Sequence, residues 1–527
     1  MNHDKNNGIF YTPPELAKFV AKLGISSINS RVLDPCYGEG ALLLAAQNRL
    51  LEHNSKILNR QLYGYDIAPP RNKGKKISLK GLLSQKNLKD RDFFSEDDKD
   101  LKLKFDVILM NPPFVRHHLI PKETQKRIRK IIGDYKILPM TSDLWAYFLV
   151  HSLKFLRTGG NLVAILPWSF LHADFAIRVR RIILDKFREL QVVVIGKRIF
   201  KKVEERVLVL TGKEFGYSTS EIGISYSPCI PEDKISWKQI SREIWQNSLW
   251  RSFATADIHK ILSEININPG YKPLSHFARV RIGTVTGANN FFILKKDDAK
   301  RMILPKRILK PIIRRSGDLR KLVISSSDNI QDFLLLIPEN MKLPPPLKAY
   351  IETGKNKHIN KRCHSLKRKK WYSIKNQIPP DGFFHYMTKE MPFIVFNPDG
   401  ILSTNTIHNL DFLDAVDENT KKWIQFSMLT SISQLSIELL GRTYGGGVLK
   451  IEPTAANKIL VYPGNGDRFP ADLENDLNRL LIDGKHREAM KHADRWMVNN
   501  SLITKKQMNS IKACYENLRD LRLGDSS

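Results

Sequence analysis

The stretch "RVLDPCYGEGALLLAA", residues 31–46, decides how the first half of this chain is read. A short apolar run ends in Asp34, a turn carries Gly38 and Gly40, and a helix-like run begins near Ala41. Glycines let the backbone come close to a ligand. No Gly-Lys-Ser/Thr follows, so this is not a phosphate-cradling P-loop, and Leu43 stands where the third glycine of a GxGxxG pattern would fall. Alone, the stretch says only strand, turn, helix.

Its neighbours continue the alternation. "ELAKFVAKL" (15–23) has helical periodicity behind the rigid entry "TPP". "QLYGYDIA" (61–68) and "FDVILM" (105–110) are strand-like. "DLWAYFLVHSLKFL" (143–156) reads as a helix closed by Gly159-Gly160, "NLVAILP" (161–167) as a strand and "DFAIRVRRIILDKF" (174–187) as a helix. "QVVVIG" and "RVLVLTG" make a terminal pair of strands. Strands alternating with helices predict an α/β domain over 1–215, built on a mostly parallel sheet with helices on both faces. Ligands in such sheets bind at the carboxyl ends of the strands. Residues 216–250 read as a linker. Residues 251–470 read as shorter, turn-interrupted segments of a mixed α+β domain, and 471–527 as a polar helical segment.

The bulk properties narrow the partners. Lys+Arg number 85 against 54 Asp+Glu, a net charge of +31 over 527 residues. That excess points to a polyanion, nucleic acid first, because phosphate neutralisation drives nonspecific affinity. "KNKHINKRCHSLKRKKWY" (355–372) holds eight Lys/Arg and no acid, and "RMILPKRILKPIIRRSGDLRK" (301–321) is similarly basic. The alternative for such stretches is a solvated lysine-rich face. No apolar run approaches the ~18 residues of a membrane span, and "MNHDKNNGIF" lacks the apolar core of a secretory signal, so a cytoplasmic protein with no membrane partner is expected. Cys36, Cys229, Cys363 and Cys514 form no C-x-x-C pair, and no metal is expected.

The chemistry concentrates in "DVILMNPPFVRHH" (106–118). An apolar strand stops at Asn111-Pro112-Pro113-Phe114, where two prolines cannot continue a sheet. A plain strand-ending turn is the simplest explanation. The Asn111 amide oxygen beside a carbonyl fixed by the prolines, that of Pro112, would instead offer two acceptors to one NH2 group. Phe114 offers a flat face for a base. Accepting both hydrogens of an exocyclic amine localises its lone pair, so that it can attack a methyl group in line. Asp66, 32 positions after Asp34, ends the second strand and suits ribose hydroxyls. Asp92 in "RDFF" is a third such acid or a plain turn cap.

These motifs resemble the S-adenosylmethionine-dependent amino DNA methyltransferases, chiefly the N6-adenine enzymes. Asn111–Phe114 match the family's Asn/Asp-Pro-Pro-Tyr/Phe motif, and "LDPCYGEG" is similar to its cofactor loop. The order "YTPPEL", cofactor loop, NPPF, large basic domain is similar to the gamma subgroup, which includes type II modification enzymes; the likeness covers residues 8 to about 212. It implies a Rossmann-like class I methyltransferase sheet and a carboxyl-terminal DNA-recognition domain. By this resemblance Thr12 meets the cofactor carboxylate. Asp34, Pro35, Tyr37, Gly38, Glu39 and Gly40 surround its methionine part. Asp66 with Ile67 holds the ribose, Asp92 meets the adenine amine, and Phe148 packs on that adenine. Phe200 would stack on the target base opposite Phe114. Phe148 and Phe200 otherwise read as core. Cys36, at a position reminiscent of a Pro-Cys nucleophile, reads as a small packing residue.

A target base inside a duplex must be flipped out to reach Asn111. "ARVRIGTVTGANNFFIL" (278–294) and "GRTYGGGVLKIEPTAANKILV" (441–461) are similar to segments of target-recognition domains. Arg279, Arg281, Lys367, Arg368, Lys369 and Lys370 are the candidate DNA contacts. The expectation is methylation of adenine N6 in double-stranded DNA, in a prokaryotic restriction–modification system. Cytosine N4 or RNA are the rival substrates. With no nuclease pattern ahead of Thr12, a separate cognate endonuclease is expected.

Overall fold

The structure, a computed structural model, describes residues 12–523 apart from 53–59, 68–86, 96–101, 133–137, 197–198, 200–205, 233, 248, 254–269, 376 and 445–446. The chain forms two compact units, Met1–Ala254 with Asp520–Ser527, and Thr255–Arg519.

The first unit is built on nine strands: β1 Val32–Asp34, β2 Leu62–Tyr65, β3 Leu88–Lys89, β4 Phe105–Met110, β5 Leu156–Pro167, β6 Phe187–Ile195, β7 Val207–Phe215, β8 Glu221–Ser227 and β9 Lys238–Gln239. Their spatial order is β3-β2-β1-β4-β5-β7-β6-β8-β9. β1 pairs in parallel with β2 and β4, and β4 in parallel with β5. β7 lies antiparallel between β5 and β6. The order reverses between β1 and β4, which is the switch point where open α/β sheets bind ligands.

Central strands sealed on both faces read as continuous apolar runs. Val107, Ile108, Leu109 and Met110 of β4 are all buried accordingly. α1 (Pro14–Gly24) and α2 (Ala41–Leu51) cover one face, where Leu16, Val20, Leu42 and Ala46 pack on Val107, Leu109, Val163 and Val209. Pro14 starts α1 at a position where the missing N–H costs nothing. α1 sits so close that a side chain at Gly24 would meet Leu109 Cδ2 at 2.9 Å. α3 (Lys122–Ile132) follows the NPPF turn; α4 (Leu144–Ser152) is buried along its whole length, and α5 (Asp174–Leu184) follows.

Two expected boundaries differ. The helix begun at Leu144 ends at Ser152, and after a short 3-10 turn β5 starts at Leu156. Gly159-Gly160 therefore lies inside a strand. Phe105 pairs with Leu156 but Val107 with Asn161, so the glycines form a bulge. A side chain at Gly160 would lie 3.0 Å from the Asp106 carbonyl. The stretch 216–250, read as a linker, extends the sheet instead. β8 runs parallel to β6 over Glu189–Ile195, with Ile222 and Ile224 buried, and β9 pairs antiparallel to β8.

In the second unit, β10 (Ala278–Ile282), β11 (Ile293–Lys295), β12 (Leu309–Ile313), β13 (Asp332–Leu335), β14 (Gly382–His385), β15 (Ile394–Phe396), β16 (Leu402–Ser403) and β17 (Ile407–Phe412) form two four-stranded sheets, ordered β10-β17-β14-β15 and β11-β13-β12-β16. α6 (Pro345–Asn356), α7 (Glu418–Ser427), α8 (Ser431–Leu440), α9 (Ala471–Ile482), α10 (His486–Asn499) and α11 (Lys505–Leu523), whose residues from Asp520 on count with the first unit, supply its longer helices. No described helix is long and apolar enough to cross a membrane.

Candidate active site

Parallel pairing sets the ends of β1, β2 and β4 side by side, and with them Asp34, Asp66 and Asn111. The loop after β1 is tied to its neighbours. Tyr37 N donates to the Tyr65 carbonyl (3.0 Å), Gly38 N to Asp66 Oδ2 (2.8 Å) and the Tyr37 hydroxyl to Asp90 Oδ1 (2.7 Å). Gly38 (φ +51°) and Gly40 (φ +85°) take left-handed conformations that a side chain would strain. Glu39 between them is exposed, as is Ile67 after β2, whereas Pro35 is buried.

Asp34 is buried and accepts from Cys36 N at 3.0 Å. Burial, reinforced by the charge of Asp66, pushes its carboxyl up to about 7, against the opposing pull of the Cys36 N–H. Among the described residues no cation pairs with it. A desolvated carboxylate without a protein counter-cation fits a ligand that brings a positive charge. Burial and the Asp34 and Asp66 charges also raise the Cys36 thiol well above its ordinary value. Such a thiol is a poor nucleophile, in keeping with a packing role.

At the end of β4, Asn111 Nδ2 donates to Thr12 Oγ1 at 3.1 Å. This fixes the amide across 99 positions of sequence and leaves Oδ1 as its acceptor edge. Pro112 is buried; Pro113 and Phe114 are partly exposed, and Phe114 packs at the rim of the α1–α2 core.

The third acid is differently engaged. Asp92 Oδ1 accepts from Phe94 N at 3.0 Å, capping the 3-10 turn Phe93–Ser95, and Oδ2 accepts from Arg127 of α3 at 2.8 Å. Phe148 is buried, stacked on Phe93 (5.8 Å, 14°) and edge-on to Phe94 (4.8 Å). Phe200 lies outside the described residues. Asp90 and Arg127 were not among the expected site residues; their partners sit 53 and 35 positions away, with no local signal to mark them.

In the second unit, Arg279 on β10, Lys367 and Lys369 are exposed. Arg281 forms a two-pronged pair with Asp411 (2.5 and 3.1 Å) and also donates to the Ile378 carbonyl. Arg368 donates to the Thr286 carbonyl at 2.7 Å and lies over the Phe292 ring, and Lys370 donates to the Glu339 carbonyl. Among the described residues no cluster of three His, Cys, Asp or Glu is placed to hold a metal ion.

An NPPF turn beside two strand-end carboxylates, on a sheet whose antiparallel strand sits between β5 and β6, defines a class I methyltransferase of the amino-group type. Residues 1–229 match the family described as N-6 DNA Methylase, and residues 247–498 match the C-terminal domain of the type II methyltransferase M.Eco57I. The type II methyltransferase M.AccI of Acinetobacter calcoaceticus is 22% identical over 92% of both chains. M.BstVI of Geobacillus stearothermophilus is 22% identical over 97% of this chain and 98% of its own. The fold is similar to that of the type IIL restriction-modification enzyme MmeI in complex with DNA (TM-score 0.57, 12% identity, 96% of this chain and 74% of that one). The chain belongs to the N6-adenine DNA methyltransferases of type II restriction–modification systems.

Proposed function

We propose that the methyl donor is S-adenosylmethionine and that the acceptor is an adenine flipped out of duplex DNA onto the Asn111–Phe114 turn. The observation that carries this reading is the Asn111 amide, held by Thr12, beside the buried carboxylate of Asp34, which among the described residues meets no cation. S-adenosylmethionine supplies an electrophilic methyl group on a sulfonium, and its ammonium gives Asp34 a counter-charge. Thr12 Oγ1 accepts from Asn111 and keeps its own hydrogen to donate, which suits the cofactor carboxylate. Asp66 and Ile67 suit the ribose, and Asp92 with Phe148 the cofactor adenine. Gly38, Glu39 and Gly40 line the methionine side.

Asn111 Oδ1 and the Pro112 carbonyl accept the two hydrogens of the target amine. Its lone pair is thereby localised on N6, toward the methyl group. N6 forms a bond to carbon as the bond to sulfur breaks, and the surplus proton leaves to water. Phe114 supports the flipped base from one side, with Phe200 assigned to the other. Arg279, Lys367 and Lys369 hold backbone phosphates. Arg281, Arg368 and Lys370 shape that surface through their contacts within the second unit as well as adding charge. A separate endonuclease completes the restriction system. Incubation with radiolabelled cofactor and DNA, RNA or protein, followed by single-molecule sequencing, tests this. Label in DNA with N6-methyladenine at one motif is expected; label confined to RNA, to protein or to cytosine would sink it.

A further inference from the structure

Two arginines of the basic stretch 355–372 reach back to backbone carbonyls of the segment 285–287. Arg362 donates to the Gly287 carbonyl at 3.2 Å. Arg368 donates to the carbonyls of Thr286 (2.7 Å) and Val285 (3.4 Å). The Thr286 hydroxyl receives Ala288 N and donates to Asn289 Oδ1. Gly287 has φ +76°, and a side chain there would meet His364 Cβ at 2.7 Å. The segment 285–290 is thus splinted, with the carbonyls of Val285, Thr286 and Gly287 occupied.

That splinted segment walls a cavity of about 650 Å³. Val285, Asn289 and Asn290 line it together with Lys357, Arg362 and His364. Val285 and Asn290 are exposed, as are Lys357 and Arg362. Lys361, Lys367 and Lys369 of the same basic stretch are exposed as well and do not line the cavity. A small anion has no use for charge outside its pocket, whereas a polynucleotide backbone does. Amides and apolar side chains on a rigid loop are the groups that read base edges, and flanking cations set register.

We propose that this cavity is a base-reading site for duplex DNA, in which Asn290 with Val285 specifies an A·T pair and Lys357 holds an adjoining phosphate. An asparagine amide matches adenine N6 and N7, and an apolar side chain matches the thymine methyl group. The inference rests on the proposed function above, since it names residues that choose the site methylated there.

The test maps methylated motifs for the full-length chain and for Asn290→Ala, Asn290→Asp and Lys357→Ala. Asn290→Ala is expected to lose roughly 5- to 150-fold of discrimination at one A·T position of the motif, and at no other. Asn290→Asp is expected to shift that position toward C·G, because a carboxylate accepts from cytosine N4. Lys357→Ala is expected to weaken binding to all duplexes alike and lower the log–log salt slope by about one. An unchanged motif in both Asn290 variants, with wild-type methylation intact, would overturn this inference alone. Absence of adenine methylation by the wild-type chain would overturn both readings.

Discussion

Asn111 Nδ2 and Thr12 Oγ1 lie 3.1 Å apart, joining the turn after β4 to the entrance of α1. The hydroxyl aims an amide whose other edge, in the proposed function, meets the substrate amine. Thr12→Val keeps the shape and removes the hydroxyl. It should lower kcat by about 100-fold, the scale set by loss of positioning at a reacting centre, with little change in melting temperature. Thr12→Ser should restore most of kcat. A Val variant with full kcat would remove Thr12 from the positioning of Asn111.

If Asp34 meets the cofactor ammonium as proposed, cofactor affinity depends on pH. Its carboxyl, raised to about 7 by burial, must be ionised to meet a cationic ligand. Affinity measured by calorimetry should fall about tenfold per pH unit below 7, and Asp34→Asn should abolish the slope along with most of the affinity. The same shift acts on stability in the opposite sense. A raised folded-state value contributes stability below the ordinary 3.8 that is lost as pH rises through about 7. Ligand-free Asp34→Asn should therefore match the wild type near pH 4 and melt higher at pH 8.

The two partners of the Asp92–Arg127 pair should separate. Asp92→Ala removes a cap from the Phe93–Ser95 turn and should cost about 1 kcal/mol of stability. Arg127 is about half exposed, so Arg127→Ala should cost less than about 1 kcal/mol. If Asp92 receives the cofactor adenine, Asp92→Ala also raises the cofactor KM, whereas a stability loss with unchanged KM would leave it a cap alone. Chemical denaturation and steady-state kinetics give both readings.

Phe148 is enclosed by Phe93 and Phe94. Phe148→Ala should cost about 3–5 kcal/mol, whatever the residue does for the cofactor. Phe148→Leu retains most of the packing and isolates the aromatic contribution, so a raised cofactor KM in the folded Leu variant is the expected result.

The alternation of strands and helices was legible because β4 and β5 keep apolar runs and α1 keeps its stripe. Strand-end acids were legible because parallel pairing turns sequence position at a strand end into spatial adjacency. What was hidden depends on pairing across distance. Gly159-Gly160 looks like a helix stop until β4 is beside it, and Ile222 and Ile224 look like linker until β6 offers an edge. Arg127 has no local sign that it will meet Asp92. Nor does composition show that Arg362 and Arg368 spend donors on carbonyls while neighbouring lysines stay exposed.

The central claim is that the Asn111 amide receives an adenine amine. Single-turnover methyl transfer to a duplex bearing the mapped motif, comparing wild type with Asn111→Ala, tests it most directly. The account predicts transfer to N6 by the wild type and its loss, by at least about 100-fold, in the variant, with cofactor affinity within a few-fold of wild type. An Asn111→Ala protein that still methylates adenine N6 at a comparable rate would contradict it.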